Sequence, residues 1–251
     1  MRQVIFFIIF LFMLPTIAVS SEALHWGFQK GSEGMQAQAG EKLDEMLEKY
    51  DSYYKGNPKD KVLYLTFDNG YENGHTKTIL DTLKKEKVPA AFFVTGHYVD
   101  SASDLIKRMV KEGHIIGNHS WHHYDLTTVP NSTVIEEIKL VEKEVARLTK
   151  QNKTKYVRPP RGIFSENVLK TAQKEGYTHV MWSIAFVDWY ADQPKGKKYA
   201  YDEIMEQIHP GAVIMLHSVS RDNAEALPDV IRDLKKQGYT FKSLDELAGN
   251  Q

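Results

Sequence analysis

The chain has 251 residues, enough for one large domain or two small ones, and 42% of them are hydrophobic, so a substantial core can form. With 32 basic and 33 acidic residues the net charge is -1, which leaves no field to favour nucleic acid. Cysteine is absent; this excludes disulfides and thiolate metal sites, so any bound metal must take nitrogen or oxygen ligands.

Residues 1–20 differ in composition from the remainder of the chain. Arg2 precedes the apolar run Val4–Leu14, then come Pro15 and the small-residue end Ala18-Val19-Ser20. A basic start, a short apolar stretch and such an end predict a secretory signal over residues 1–20, cut after Ser20. An uncleaved anchor is the alternative, but a span needs roughly 20 apolar residues and Pro15 interrupts this run. Residues 21–60, rich in Gly, Gln, Glu and Lys, contain the short amphipathic stretch Leu43–Tyr50. They read as an N-terminal extension packed on the domain, with Trp26 and Phe28 as anchors.

From Lys61 the pattern becomes regular, and residues 61–248 read as the functional domain. The β-branched and aromatic run Val62–Phe67 predicts a buried strand, followed by a helix over His75–Lys87 and a strand over Ala90–Thr95. A helix over Ser101–Glu112 leads to a strand at His114–Asn118. The stripe Val134, Ile138, Val141, Val145 and Leu148 marks a core-facing helix over Thr133–Lys150. Strand Lys155–Val157, helix Ser165–Glu175, strand His179–Ile184, helix Asp202–Ile208 and strand Ala212–Leu216 come next. Helix Ala224–Lys236, strand Tyr239–Phe241 and helix Ser243–Ala248 close the chain. Such alternation implies a parallel sheet with helices outside it, either doubly wound or a barrel. No glycine-rich nucleotide loop follows the first strand, and reactive residues sit at many strand ends, so an incomplete or distorted (β/α) barrel is expected.

Five segments after five apolar runs carry the chemistry: TFDNG, NHSWHH, RPPRG, FVDW and MLHS. His119 and His123 lie four apart, which on a helical turn puts both imidazoles on one side, as in zinc-binding helices. His122 falls elsewhere on that turn and reads as structural or solvent-facing. Asp68 ends the first strand; Asp68-Asn69-Gly70 is good turn chemistry, yet a carboxylate there can also take a proton from an attacking water. Asn69 can add a weak amide ligand to the imidazoles.

Arg158 precedes Pro159-Pro160, whose rings fix the backbone. It is either a solvated arginine on a surface turn or a bidentate partner that keeps Asp68 ionised. A backbone N–H near Arg161 can face a developing oxyanion. Asp188 and His217, from two later strand ends, suit a carboxylate that raises the pKa of an imidazole and keeps it ready as a general acid. Trp182, Trp189 and Leu216 are either core residues or the wall of a slot for an acyl methyl. His25, His75, His97, His114, His179 and His209 show no usable pattern.

Together these segments resemble the polysaccharide deacetylases of carbohydrate esterase family 4, the NodB-homology domain. The carriers are Thr66-Phe67-Asp68-Asn69-Gly70, His119-Ser120-Trp121-His122-His123, Arg158-Pro159-Pro160-Arg161-Gly162, Asp188-Trp189 and Leu216-His217. The resemblance covers about residues 60–248 and implies a distorted (β/α) barrel that removes an N-acetyl group with a divalent metal ion, zinc first. It implies that Asp68 is the base, His119 and His123 are metal ligands, His217 is the acid, and Arg158 and Asp188 orient base and acid. Two departures matter: Asn69 stands where the family has a second, metal-binding aspartate, and Arg161 replaces an aromatic.

With Leu24–Phe28, Thr66–Gly74 and Ser220–Ala226, these departures resemble the delta-lactam-forming peptidoglycan N-acetylmuramic acid deacetylases of spore-forming bacteria. That resemblance implies peptide-stripped muramic acid in spore cortex peptidoglycan as substrate. Muramic acid then bears a free lactyl carboxylate, and arginine is the usual fork for a carboxylate, so Arg161 is expected to read it. The expected partner is the glycan strand of peptidoglycan, with no nucleic acid and no membrane contact beyond the signal segment; a monomer, exported to the cell wall or cortex space, is expected. Two alternatives stand beside this: a deacetylase of N-acetylglucosamine or chitooligosaccharides, and a glycan-binding module without catalysis. The retained Asp68, Arg158, Asp188 and His217 argue against the second, because binding alone needs neither base nor acid.

Overall fold

A computed structural model describes residues 22–31 and 33–249, so the signal expected over residues 1–20 lies outside the described residues. Its centre is β2 (Val62–Asn69), in which seven of eight side chains are buried. β2 pairs in parallel with β3 (Ala90–Val94) on one side and β8 (Val213–His217) on the other. From β3 the sheet continues in parallel through β4 (Ile115–Asn118), β5 (Tyr156–Val157) and β7 (Thr178–His179). The far edges then meet: the N–H groups of Ser183 and Ile184 donate to the Val213 carbonyl, and Met215 donates back to Ile184. The sheet therefore curls into a distorted (β/α) barrel, as expected from the sequence. Its closure is thin, because β7 spans two residues and Val180 and Ile184 make only isolated bridges; the continuous strand expected over 179–184 is not formed.

Helices cover the outside through the stripes that predicted them. α2 (Thr76–Glu86) buries Ile79, Leu80 and Leu83, and α5 (Asn131–Leu148) buries Val134, Ile138, Val141 and Val145. Burying each such side chain is worth about 1.5–3 kcal/mol. The helix expected over 101–112 is α4 (Ser103–Lys111), and a short α3 (Gly96–Ser101), capped by Thr95, precedes it unforeseen. α6 (Glu166–Lys174) follows the short β6 (Ile163–Phe164), which sequence reasoning did not find. α7 (Lys197–Glu206) begins five residues earlier than expected, and α8 (Arg221–Lys236) three earlier. In each case a cap decided the start: Gly196 before α7, and Ser220, whose hydroxyl accepts from Asn223 N–H at 3.3 Å, before α8. β9 (Thr240–Phe241) pairs with the start of β2, and α9 (Leu244–Gly249) ends the described chain.

The segment before the barrel is woven into it. β1 (Leu24–His25) pairs antiparallel with β6, and the Trp26 indole N–H donates to the Trp182 carbonyl at 3.0 Å. Trp26 also packs edge-on against Tyr54 at 4.9 Å and so anchors the segment, while Phe28 lies 6.5 Å from Trp26 itself. α1 (Glu41–Lys49) brings Leu47 into a cluster with Tyr50, Tyr54, Phe164 and Met181. No described helix is long and apolar enough to cross a membrane.

Candidate active site

Strand pairing makes the site. The β2–β8 register sets Asp68 directly opposite His217, and adjacent strands lie about 4.8 Å apart, so a carboxylate and an imidazole face one opening at their C-terminal ends. His119 follows β4 and Arg158 follows β5; Arg158 N–H donates to the Asn118 carbonyl and His119 N–H to that of Val94. The opening is a cleft of about 1080 Å³ lined by Asp68, His119, His123, Arg161, Trp182 and His217 among others.

Arg158 is fully buried, which removes the solvated-turn reading. Its Nη1 donates to Asp68 Oδ1 at 2.7 Å and to Thr66 Oγ1 at 3.0 Å, while Nε and Nη2 are held by the carbonyls of Val180 and Met181. The contact with Asp68 is thus single, not bidentate, because the rest of the fork is spent on the backbone where the barrel closes. Phe93 stacks beneath the guanidinium at 4.1 Å, and Gly117 leaves room for that ring, since a Cβ there would meet it at 2.6 Å. Burial alone would push the Asp68 carboxyl up, but the Arg158 charge, with His119 and His217, outweighs it and holds Asp68 below its ordinary value.

His119 Nδ1 lies 2.8 Å from the Arg158 carbonyl, which can only accept, so Nδ1 carries the proton and Nε2 keeps its lone pair. That Nε2 stands 3.7 Å from Asp68 Oδ2 and 3.3 Å from His123 Nε2. The two imidazoles converge, but the expected helical turn is absent. Ser120 and His123 have φ of 61° and 59°, left-handed values that wrap the loop tightly. The loop is held by Asn118 Oδ1, which accepts from Ser120 N–H at 3.0 Å, and by Ser120 Oγ, which accepts from His123 N–H at 3.0 Å. Burial pulls both rings below the ordinary histidine value, His123 to about 4, so both are neutral at pH 7. His122 turns away to Glu137, as expected.

Asn69 is buried and lies outside the cleft lining, for adjacent residues of a strand point to opposite faces. Its Nδ2 donates to Ser218 Oγ at 2.7 Å, and its Oδ1 has no partner among the described residues. The amide ligand expected at Asn69 is therefore not part of the cleft, and two neutral imidazoles with facing Nε2 atoms fit a divalent cation only loosely. No set of three or more His, Asp or Glu side chains arranged to hold a metal occurs among the described residues.

Asp188 Oδ1 accepts from the His217 ring at 2.7 Å, and Asp188 Oδ2 accepts from His217 N–H at 2.8 Å and from Asn223 at 2.6 Å. Burial would lower the pKa of His217, but the charge and hydrogen bond of Asp188 prevail and raise it. Trp189, half-exposed, places its ring 5.5 Å from that of His217 and lines the cleft with Trp182. Leu216 does not: it is a core residue, and Met215 and Val219 line the cleft instead. The period of two along β8 carried that signal, since Met215 and His217 share a face that Leu216 cannot. Arg161, at φ 58°, reaches into the cleft with its side chain half-exposed and Nη2 3.7 Å from Asp125. Tyr71, Thr95, His97, Asp100 and Trp121, to none of which the sequence assigned a role in the site, also line the opening.

A carboxylate held ionised and an imidazole shifted toward its protonated form, across one cleft, are groups that can serve as a base and an acid. Comparison with known proteins agrees with that chemistry. Residues 55–180 match the polysaccharide deacetylase family. The peptidoglycan-N-acetylmuramic acid deacetylase PdaA of Bacillus subtilis is 56% identical over 230 residues, covering 92% of this chain and 88% of that protein. The solved structure of Bacillus subtilis PdaA, a family 4 carbohydrate esterase, superposes with a TM-score of 0.88 over 90% of this chain and 97% of that one, at 56% identity. A family 4 carbohydrate esterase from Bacillus anthracis gives a TM-score of 0.78 at 46% identity, covering 92% and 98% of the two chains.

Proposed function

Because the chain belongs to the polysaccharide deacetylase family, we propose that it removes the N-acetyl group of peptide-stripped N-acetylmuramic acid in peptidoglycan. The enzyme is a hydrolase of carbohydrate amide bonds. The muramic acid preference rests on the 56% identity with a deacetylase of that name and on Arg161, a cation lining the cleft that can pair with a lactyl carboxylate. The single observation that carries the catalytic reading is the register of β2 and β8, which sets Asp68 against His217 with Arg158 and Asp188 behind them.

In the reaction, water attacks the acetyl carbonyl carbon while Asp68, kept ionised by Arg158, takes its proton. The tetrahedral adduct collapses as the C–N bond breaks, and His217, kept protonated by Asp188, gives its proton to the departing amine. Acetate and a free amino sugar leave. His119 and His123 would hold a divalent cation such as zinc; when bound it polarises the acetyl carbonyl. Trp182 and Trp189 wall the slot for the acetyl methyl.

The amine freed on muramic acid lies within reach of the lactyl carboxylate of the same sugar. Loss of water between them closes a delta-lactam, the modification of spore cortex to which this reading assigns the enzyme. Such a substrate lies outside the cytoplasmic membrane, which agrees with export through residues 1–20. Mass analysis of glycan fragments treated with the enzyme, with and without prior removal of the peptides, tests the proposal. Loss of acetyl from muramic residues only after peptide removal is expected; loss from glucosamine residues alone would assign the enzyme to N-acetylglucosamine instead.

A further inference from the structure

The first turn of α8 holds two buried side chains, Asp222 and Asn223, that take no part in the proton transfers of the reaction. Asn223 is 1% exposed, and its Nδ2 donates to Asp188 Oδ2 at 2.6 Å and to the His217 carbonyl at 3.2 Å. Asp222 Oδ2 accepts from the N–H groups of Lys195 and Gly196 at 2.7 and 2.8 Å. Two consecutive residues of one helix thus hold both ends of the segment 188–196, which carries the carboxylate behind the acid and the Trp189 ring beside it.

A carboxylate can rotate about its Cβ–Cγ bond, and only one of its orientations keeps Oδ1 in line with the His217 ring. Oδ2 of Asp188 takes two donors, the backbone of His217 and the amide of Asn223, and both must break for the plane to turn. The second bond of Asn223, to the His217 carbonyl, ties the same amide to the residue whose proton is to be delivered. Asn223 is itself fixed from behind, because its backbone N–H donates to the Ser220 cap.

We propose that Asn223 is a positioning residue for proton delivery to the leaving amine, acting through Asp188 on His217 and touching no substrate. This rests on the reading of His217 as the acid in glycan deacetylation. An amine leaves only as it is protonated, whereas the phenolate of an activated aryl acetate leaves without a proton. Asn223 therefore matters for the amide and far less for the ester.

The test compares the full chain with Asn223→Ala and Asn223→Asp on peptide-free N-acetylated glycan and on p-nitrophenyl acetate. Asn223→Asp keeps the shape and replaces the donor by an acceptor, so it carries the test if the alanine variant does not fold. The expected result is a fall in kcat on glycan of about 10- to 100-fold. KM should stay within about two-fold, and the loss on the ester should be no more than about three-fold. An unchanged kcat on glycan, a loss lodged in KM, or equal losses on amide and ester would overturn the proposal. If the wild-type chain releases no acetate from any N-acetylated glycan, it is the deacetylase reading that fails, before Asn223 enters.

Discussion

The Nε2 atoms of His119 and His123 stand 3.3 Å apart, and the Arg158 carbonyl holds the proton of His119 on the other side of its ring. Two neutral imidazoles can hold a cation only weakly, since neither brings charge and Asn69 lies outside the cleft lining. Chelation should lower deacetylation, added zinc should restore it, and dialysis alone should strip most of the metal. Metal content and acetate release measured on the same samples decide this. Activity that survives complete metal removal would reject a role for the cation.

Asp68→Asn keeps the size of the side chain and removes the base that Arg158 holds ionised. Turnover should drop by about 10²- to 10⁴-fold while glycan binding persists. Acetate release beside a binding titration checks it. Equal turnover in this variant would reject Asp68 as the base.

The pH dependence comes from two opposite shifts. Asp68 is held below the ordinary carboxylate value, so it is ionised at neutral pH and fails only in acid. His217 is raised above the ordinary histidine value of 6.5, so it is protonated up to that raised pKa and activity should fall as pH rises through it. Removing the carboxylate charge with Asp188→Asn should pull this alkaline limb to lower pH. A profile of kcat/KM for both proteins is the check, and an unmoved limb would remove His217 from the acid role.

Arg161 lines the cleft with its side chain half-exposed, paired only loosely with Asp125 at 3.7 Å. If it reads a lactyl carboxylate, Arg161→Ala should cost about 10-fold or more in kcat/KM on peptide-free muramyl glycan, the worth of one charge-assisted hydrogen bond. N-acetylglucosamine residues, which lack the carboxylate, should be deacetylated at an unchanged rate. Full activity on the muramyl glycan would refute the assignment.

Away from the cleft, burial lowers the pKa of His114 and of His179 from 6.5 to about 4. The unfolded chain takes up these protons first as pH falls, so stability is whole above about 6.5 and is lost toward pH 4. For His179 alone the loss at pH 4 is about 3 kcal/mol. Urea melts at pH 7 and pH 4.5 read the trend, and His179→Gln should flatten it. Equal midpoints for the wild type at the two pH values would show that these rings find proton acceptors.

Local pattern carried the alternating strands and helices, because β-branched runs and apolar stripes at three and four are properties of short stretches. It carried the reactive residues too, since Asp68, Arg158 and His217 each end or follow an apolar run. Helix starts were legible only where a cap stood out, and the early starts of α7 and α8 depended on Gly196 and on Ser220. Distance was another matter. That Asp68 lies opposite His217, that Arg158 spends its fork on the carbonyls of Val180 and Met181, and that Asn223 grips Asp188 are facts of strand register and barrel closure. They join residues far apart in the chain, and no local propensity encodes such a meeting. The loop that turns His119 toward His123 was settled the same way: four-residue spacing suited a helix, but the hydrogen bonds of Asn118 and Ser120 wound it into left-handed turns instead.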